Sequence, residues 1–309
     1  MRADDALLER LARTLEGMGL QPARDEPLWR HTSFRIGGPA DLWVAVPDAT
    51  RLAEVVAAAQ DLEVPATVLG GGTNVLVSDR GIRGLVTRFR APVGRPEAVS
   101  EGRYRVSCGA PLAGLARWAV RQGLAGLEWA VGIPGTVGGA VLGNAGAYGG
   151  CMADVLERVE VWERGQHRWV ERDDLAMGYR TTAWKASPTR PVLLTAEVRL
   201  APAAPDVLKG KAEAYQEARQ VRQPKEPSAG SVFRNPAEAP AGRLIEEAGL
   251  KGFRIGDAMV SPVHANYIVN VGSASAQDVW ALMQHIQDVV LARFGIHLEP
   301  EIERLGEWT

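Results

Sequence analysis

The stretch VLGGGTNVLVS, residues 68–78, decides how this chain is read. An apolar run at 66–70, ATVLG, reads as a short buried strand. It passes directly into three glycines, a threonine and an asparagine. Adjacent backbone N–H groups in such a turn form an anion-binding nest, and a pyrophosphate is its natural guest. Thr73 and Asn74 add side-chain donors to Gly70, Gly71 and Gly72. Taken alone, GGG after a strand is more often a plain tight turn.

The flanking sequence reads as α/β. DLWVAVP, 41–47, alternates like a half-buried strand, and 50–62 is a helix with Leu52, Val55, Val56, Ala59 and Leu62 on one face. Strands follow at 75–77 and 84–89. Farther on, 104–108 is a strand and 111–122 a helix, with Pro111 near its start and Gly123 at its end. Then comes GLEWAVGIPGTVGGAVLGNAGAYGG, residues 126–150. Nine glycines in these twenty-five residues mean backbone packed close to something, since only glycine lacks a Cβ. Three glycine-rich turns within about eighty residues, at 70–72, 132–140 and 143–150, fit a large dinucleotide held along its length. No GxGxxG stands in a strand–turn–helix context, and no GxxxxGK[ST] exists. The dinucleotide therefore belongs to a different fold.

Strands recur at 156–163, 167–172 and 192–200. APAAP at 201–205 reads as a linker, with a long helix from there to about Val221. Residues 276–294 form an amphipathic helix with Val279, Leu282, Met283, Ile286, Val289 and Val290 on its apolar side, ended by Gly295. The expected break lies near residue 202, with a weaker division near 90.

Composition excludes several classes. With 46% hydrophobic residues, 23% charged residues and a net charge of -2, the chain is an ordinary globular protein without a basic face for nucleic acid. Two cysteines, Cys108 and Cys151, make no disulfide framework. Five histidines form no HExxH pair, and no Cys/His spacing suits a metal. Leu7, Leu8, Leu11, Leu15 and Met18 fall at helical spacing near the start. Asp4, Asp5 and Glu9 there break the layout of a signal peptide. The stretch 110–147, the most apolar long one, carries Arg117, Arg121 and Glu128 and is no membrane span. The expected location is cytoplasmic.

Together, TSFRIGGPADLWV (32–44), GGGTNVLVS (70–78), GIPGTVGGAVLGNAGAYG (132–149), GYRTTAWK (178–185), PSAGSVFRNP (227–236) and GIHLEPEIERLG (295–306) resemble the UDP-N-acetylenolpyruvoylglucosamine reductases. RLIEEAGLKGFRIGDAMVSPVHANYIVN, 243–270, is also family-like, so the resemblance runs from about residue 30 to the C-terminus. It implies an α+β fold: a two-lobed FAD-binding domain of the vanillyl-alcohol oxidase type at 1–200, with lobes 1–89 and 90–200. An α/β substrate-binding domain at 201–303 and a tail at 304–309 follow. It also implies that Gly70, Gly71, Gly72, Thr73 and Asn74 cradle the pyrophosphate of non-covalent FAD. The second turn, Gly132, Ile133, Pro134, Gly135, Thr136, Gly138, Gly139 and Ala140, would meet the flavin and adenine portions. NADPH is the implied reductant, and UDP-N-acetylglucosamine enolpyruvate the implied substrate.

Reduction of an enolpyruvyl ether to a lactyl ether needs a fixed cation for the carboxylate, an acid that tunes charge and a short proton donor. Arg180 supplies the cation, since a guanidinium binds carboxylate in a fork and keeps its proton. The resemblance makes Ser231 the proton donor and Glu301 the active-site acid. Periodicity alone cannot choose Glu301 over Glu299 or Glu303, because all three share one face of an extended strand. Tyr179, Lys225, Arg234, Asn235, Lys251 and His264 are further substrate-binding candidates. Alone, each is more often a solvated residue or, for His264, a packed one. Thr182 stands where the family commonly has serine, and Trp184 where it has phenylalanine. The chain resembles the compact type II form, which lacks an extra tyrosine-bearing loop over the substrate.

Overall fold

A computed structural model describes residues 5–185, 187 and 189–308. Asp4, one of the acids read near the start, and Thr309 of the expected tail lie outside the described residues. The expected α+β architecture is present.

Lobe 1 begins with α1 (Asp5–Gly17), whose Leu8, Leu11 and Leu15 are buried. Then come β1 (Ala23–Pro27), β2 (Pro39–Val46), α2 (Ala49–Asp61), β3 (Ala66–Leu69), β4 (Val75–Val77) and β5 (Ile82–Phe89). The sheet order is β1-β2-β5-β3. The β2–β5 and β3–β5 pairs are parallel and β1–β2 is antiparallel. The α2 helix is the crossover that parallel pairing requires. Its Asp48 cap accepts from the Arg51 amide at 2.8 Å, an arrangement worth about 1 kcal/mol.

Lobe 2 holds β6 (Glu97–Ser100), β7 (Arg103–Ser107), α3 (Leu112–Arg121), β8 (Leu124–Ala125), α4 (Val137–Leu142), β9 (Gly146–Ala147) and β10 (Gly150–Cys151). It continues with β11 (Leu156–Glu163), β12 (Gln166–Glu171), β13 (Val192–Arg199) and β14 (Ala201–Pro202). The main sheet, β12-β11-β13-β7-β6, is antiparallel throughout. One face packs on α2, α3 and α4, so a single core joins Leu11 and Leu52 of lobe 1 to Leu115, Val159 and Ala196 of lobe 2. The other face buries Glu197 completely among Arg105, Arg158 and Arg103. Against the opposing effect of burial, the Arg158 and Arg105 guanidinium groups hold its carboxyl below the usual range.

The APAAP stretch is pinned to lobe 2, since Ala201–Pro202 pair with Leu124–Ala125. Helix α5 (Pro205–Arg222) follows and packs on α3. The rest is α6 (Ala241–Glu247), a three-stranded antiparallel sheet of β15 (Arg254–Ile255), β16 (Ala258–Val260) and β17 (Ile268–Asn270), then α7 (Ala276–Phe294) and β18 (Glu303–Leu305). Helix α7 matches the expected span. A capping box of Ser275 and Asp278 opens it, and Gly295 at φ 70° closes it.

Two features lock this last part to lobe 1. Strand β18 runs parallel to β4 in the register Glu303↔Val75 to Leu305↔Val77. The Asp79 carboxylate of lobe 1 accepts from the Ala276 and Gln277 amides, at 2.8 and 3.1 Å, at the start of α7. Phe34, Ile36 and Leu76 of lobe 1 enter the core built around α7.

Candidate active site

The glycine turn after β3 and the turn before α4 face each other. A Cβ on Gly71 would lie 2.7 Å from the Gly135 Cα, and one on Gly70 would lie 2.6 Å from the Thr136 hydroxyl oxygen. Gly72 has φ 63°, and a Cβ there would meet the His31 carbonyl oxygen at 2.1 Å. Side chains are therefore excluded from the turn by backbone on both sides. The Thr73 hydroxyl donates to the Pro134 carbonyl at 3.4 Å, joining the two turns. Among the described residues, no protein acceptor takes the amides of Gly71, Gly72 or Thr73. Free amides lining a Cβ-less turn at a strand end form the donor set that a diphosphate fits.

The second turn divides its work. Gly132 lies against Arg219 of α5, and Ile133 packs on the core. Thr136 caps α4 by accepting from Gly139 at 3.3 Å. Gly138 packs on Cys108, and Ala140 is buried. The third glycine-rich stretch carries the next motif. Asn144 Nδ2 donates to the Gly178 carbonyl at 2.8 Å, and the buried Thr182 hydroxyl donates to the Leu142 carbonyl at 2.8 Å. A hydroxyl at 182 thus anchors the loop bearing Arg180, and threonine serves as serine would.

Three distant segments meet beyond the cradle. Residues 231–234 are zipped between two others. Ser231 bridges Tyr267, and the Val232 amide donates to the Asn266 carbonyl at 2.9 Å. On the other side the Glu301 amide donates to the Val232 carbonyl at 2.8 Å, and the Arg234 amide to the Glu299 carbonyl at 2.9 Å. The cradle joins in, with Asn74 Nδ2 donating to the Glu301 carbonyl at 3.2 Å. Ser33 donates to the Ser228 carbonyl at 2.6 Å.

The environment separates the three acids that periodicity could not. The Glu299 side chain is 66% exposed and pairs with Arg234; Glu303 is 25% exposed and pairs with Arg190. Glu301 is 14% exposed, its Oε1 3.0 Å from Arg180 Nε. Arg180 Nε lacks an aligned hydrogen bond to that oxygen, so the pair is a close charge contact rather than a directed bond. Burial pushes the Glu301 carboxyl above the usual range, against Arg180, Lys185 and Arg234. Burial also pushes the Tyr267 phenol up, opposed by Arg219 and by its hydrogen bond with the Ser231 side chain.

Arg180, Ser231 and Glu301 thus lie in one neighbourhood, with Arg234 at its edge. The other substrate candidates sit elsewhere or are engaged. Tyr179 is 57% exposed, with the Arg180 guanidinium 5.7 Å from its ring centre. Lys225 is exposed. Lys251 pairs with Glu246 at 2.8 Å. Asn235 Oδ1 accepts from the Ala241 amide at 3.0 Å and so caps α6. His264 accepts from the Asn266 amide at 3.2 Å and packs on Tyr267, and burial lowers its pKa. Residue-type reasoning passed over Lys185, Arg219 and Tyr267. Lys185 could have been found, since it closes the GYRTTAWK motif. Arg219 lies in an otherwise ordinary amphipathic helix and carried no signal.

No helix among the described residues is long and apolar enough to cross a membrane. No group of three or more metal-ligating side chains occurs among them. A glycine cradle fit for a dinucleotide, beside a cation, an acid and a hydroxyl, defines a flavin-dependent oxidoreductase. Residues 40–170 match the family described as an FAD binding domain. Residues 223–305 match the UDP-N-acetylenolpyruvoylglucosamine reductase C-terminal domain. A UDP-N-acetylenolpyruvoylglucosamine reductase of Synechococcus elongatus is 42% identical over 285 residues, covering 91% of this chain and 94% of that one. UDP-N-acetylenolpyruvoylglucosamine reductase 2 of Symbiobacterium thermophilum is 45% identical, covering 92% of each. The crystal structure of the Thermus caldophilus enzyme superposes with a TM-score of 0.77 at 35% identity, covering 93% of this chain and 98% of that one. The chain belongs to the UDP-N-acetylenolpyruvoylglucosamine reductase family, with FAD as its cofactor and a FAD-binding fold of the vanillyl-alcohol oxidase type.

Proposed function

We propose that this chain reduces UDP-N-acetylglucosamine enolpyruvate to UDP-N-acetylmuramate, with electrons from NADPH carried by FAD, in cytoplasmic peptidoglycan precursor synthesis. The observation that supports it most is the convergence of Arg180, Glu301 and Ser231 from three segments beside the glycine cradle. Residues 1–200 serve FAD and 201–303 the substrate, with 304–309 as a tail. Gly70 to Asn74 would hold the diphosphate of FAD, and the 132–140 turn would meet its flavin and adenine portions. Bound there, FAD would supply the relay of hydride from the nicotinamide to the enolpyruvyl double bond.

The protein's own groups do the rest. Arg180 exchanges its contact with Glu301 for the substrate carboxylate, where negative charge builds. Ser231 gives its proton to the carbon next to that carboxylate. A serine is a weak acid, and the Tyr267 phenol hydrogen-bonded to it steadies the oxygen left behind. Glu301, its pKa raised by burial, keeps its proton to higher pH than a free glutamate and shares it with the developing enolate. The substrate half-reaction therefore slows as pH rises through that raised value.

Stopped-flow absorbance tests the order of events. Flavin reduction by NADPH must precede product, and both cofactor and sugar nucleotide use the same cleft. Product formed without prior flavin reduction contradicts the proposal. A sugar or alcohol oxidase on this fold would instead reoxidise its flavin with oxygen during turnover and need no NADPH. A non-catalytic sugar-nucleotide module would bind without turnover.

A further inference from the structure

Arg180 is a non-glycine residue in left-handed backbone, at φ 57°. Such a conformation persists only where the surroundings hold it. The two-residue turn closed by reciprocal backbone bonds between Gly178 and Thr181, at 3.0 and 3.3 Å, imposes it, and the half-buried Lys185 braces the turn, its Nζ donating to the Arg180 carbonyl at 3.1 Å. The Lys185 carbonyl in turn accepts from Arg190 Nη2 at 2.7 Å, and Arg190 Nη1 pairs with the Glu303 carboxylate. The Glu303 amide donates to the Asn74 carbonyl at 2.9 Å, and Asn74 Nδ2 donates to the Glu301 carbonyl at 3.2 Å. Glu301 then returns to Arg180 at 3.0 Å. The contacts close a ring through the cradle turn, the Arg180 loop and the strand bearing Glu301.

We propose that Lys185 is a positioning residue for the reduction: it clamps the Arg180 backbone and sets a cation beside Glu301, keeping carboxylate anchor and acid in register. This rests on the reductase reading. The charged groups facing the Lys185 ammonium are Glu301 and Glu303, which favour it, and Arg234 and Arg180, which oppose it. Burial outweighs them and lowers its pKa. Lys185 is also one of three cations that hold the Glu301 carboxyl down against burial. Loss of its charge lets the Glu301 pKa climb further. Loss of its hydrogen bond frees the Arg180 loop.

The test uses the FAD-loaded protein, NADPH and UDP-N-acetylglucosamine enolpyruvate. In Lys185→Met, NADPH still bleaches the flavin, and reoxidation by the sugar nucleotide slows ~10–100-fold, the scale of a small misplacement of a reacting group. KM for the sugar nucleotide stays close to wild type. The limb in which the rate falls with rising pH moves to higher pH. Lys185→Arg keeps the cation and restores the position of that limb. Arg190→Gln leaves every site side chain in place, cuts the ring, and slows the same step to a smaller extent. That variant decides the matter if Lys185→Met fails to fold.

Unchanged reoxidation and an unchanged limb in Lys185→Met overturn the proposal. So does a raised KM with kcat intact, which makes Lys185 a ligand of the substrate. A wild-type protein that does not turn over the sugar nucleotide overturns the reductase reading instead, before any variant is compared.

Discussion

The cradle and the catalytic cluster are built in opposite ways. The cradle is backbone. Gly70, Gly71 and Gly72 lie within one turn, and their work is to have no Cβ where Thr136, Gly135 and His31 come close. The cluster is side chains. Arg180, Ser231 and Glu301 stand about fifty and seventy residues apart and meet only because 231–234 is zipped between 266–267 and 299–301. A backbone site tolerates no added atom, whereas a side-chain site tolerates no lost functional group.

Variants can break that contrast, and the largest effects belong to the cluster. Ser231→Ala should leave flavin reduction by NADPH intact and slow the substrate half-reaction on the order of 10²–10⁴-fold, the usual size for a lost proton donor. Equal slowing of both halves, seen by stopped flow, contradicts its assignment. Glu301→Gln should slow the same half and abolish the limb that falls with rising pH. If Glu299→Gln does so instead, the exposed acid is the working one and the burial argument fails.

The cradle should answer to the opposite change. Gly71→Ala adds one methyl against the Gly135 backbone. Overpacking of this kind costs about 1–3 kcal/mol, or roughly tenfold in FAD affinity for each 1.4 kcal/mol. Fluorescence titration of the apoprotein with FAD measures it, and unchanged affinity would place the diphosphate elsewhere. The smallest effect joins the two regions. Asp79→Ala removes the lobe 1 carboxylate from the start of α7 and should lower stability by about 1–2 kcal/mol, as lost helix caps do. Urea unfolding with an unchanged m-value checks it.

The same contrast explains what the sequence disclosed. The glycine turns were legible because their signal is local: three small residues after an apolar run. Helix α7 was legible to the residue because its apolar stripe and Gly295 agree, and the structure adds the Ser275–Asp278 capping box at its start. The choice among Glu299, Glu301 and Glu303 was not legible from spacing. It depends on burial imposed by Val232 and Arg180, which are remote in the chain. Asn235 and Lys251 have polar groups suited to the substrate, yet the structure occupies them with a helix cap and an ion pair. Short strands such as β6 and β14 had too few residues to show alternation.

The most direct measurement is the visible spectrum of the purified protein, taken before anaerobic NADPH, after it, and again after UDP-N-acetylglucosamine enolpyruvate. A flavin spectrum that NADPH bleaches and the sugar nucleotide restores is the result this account predicts. A bound flavin that only oxygen restores, or a protein that neither carries FAD nor takes it up, contradicts it.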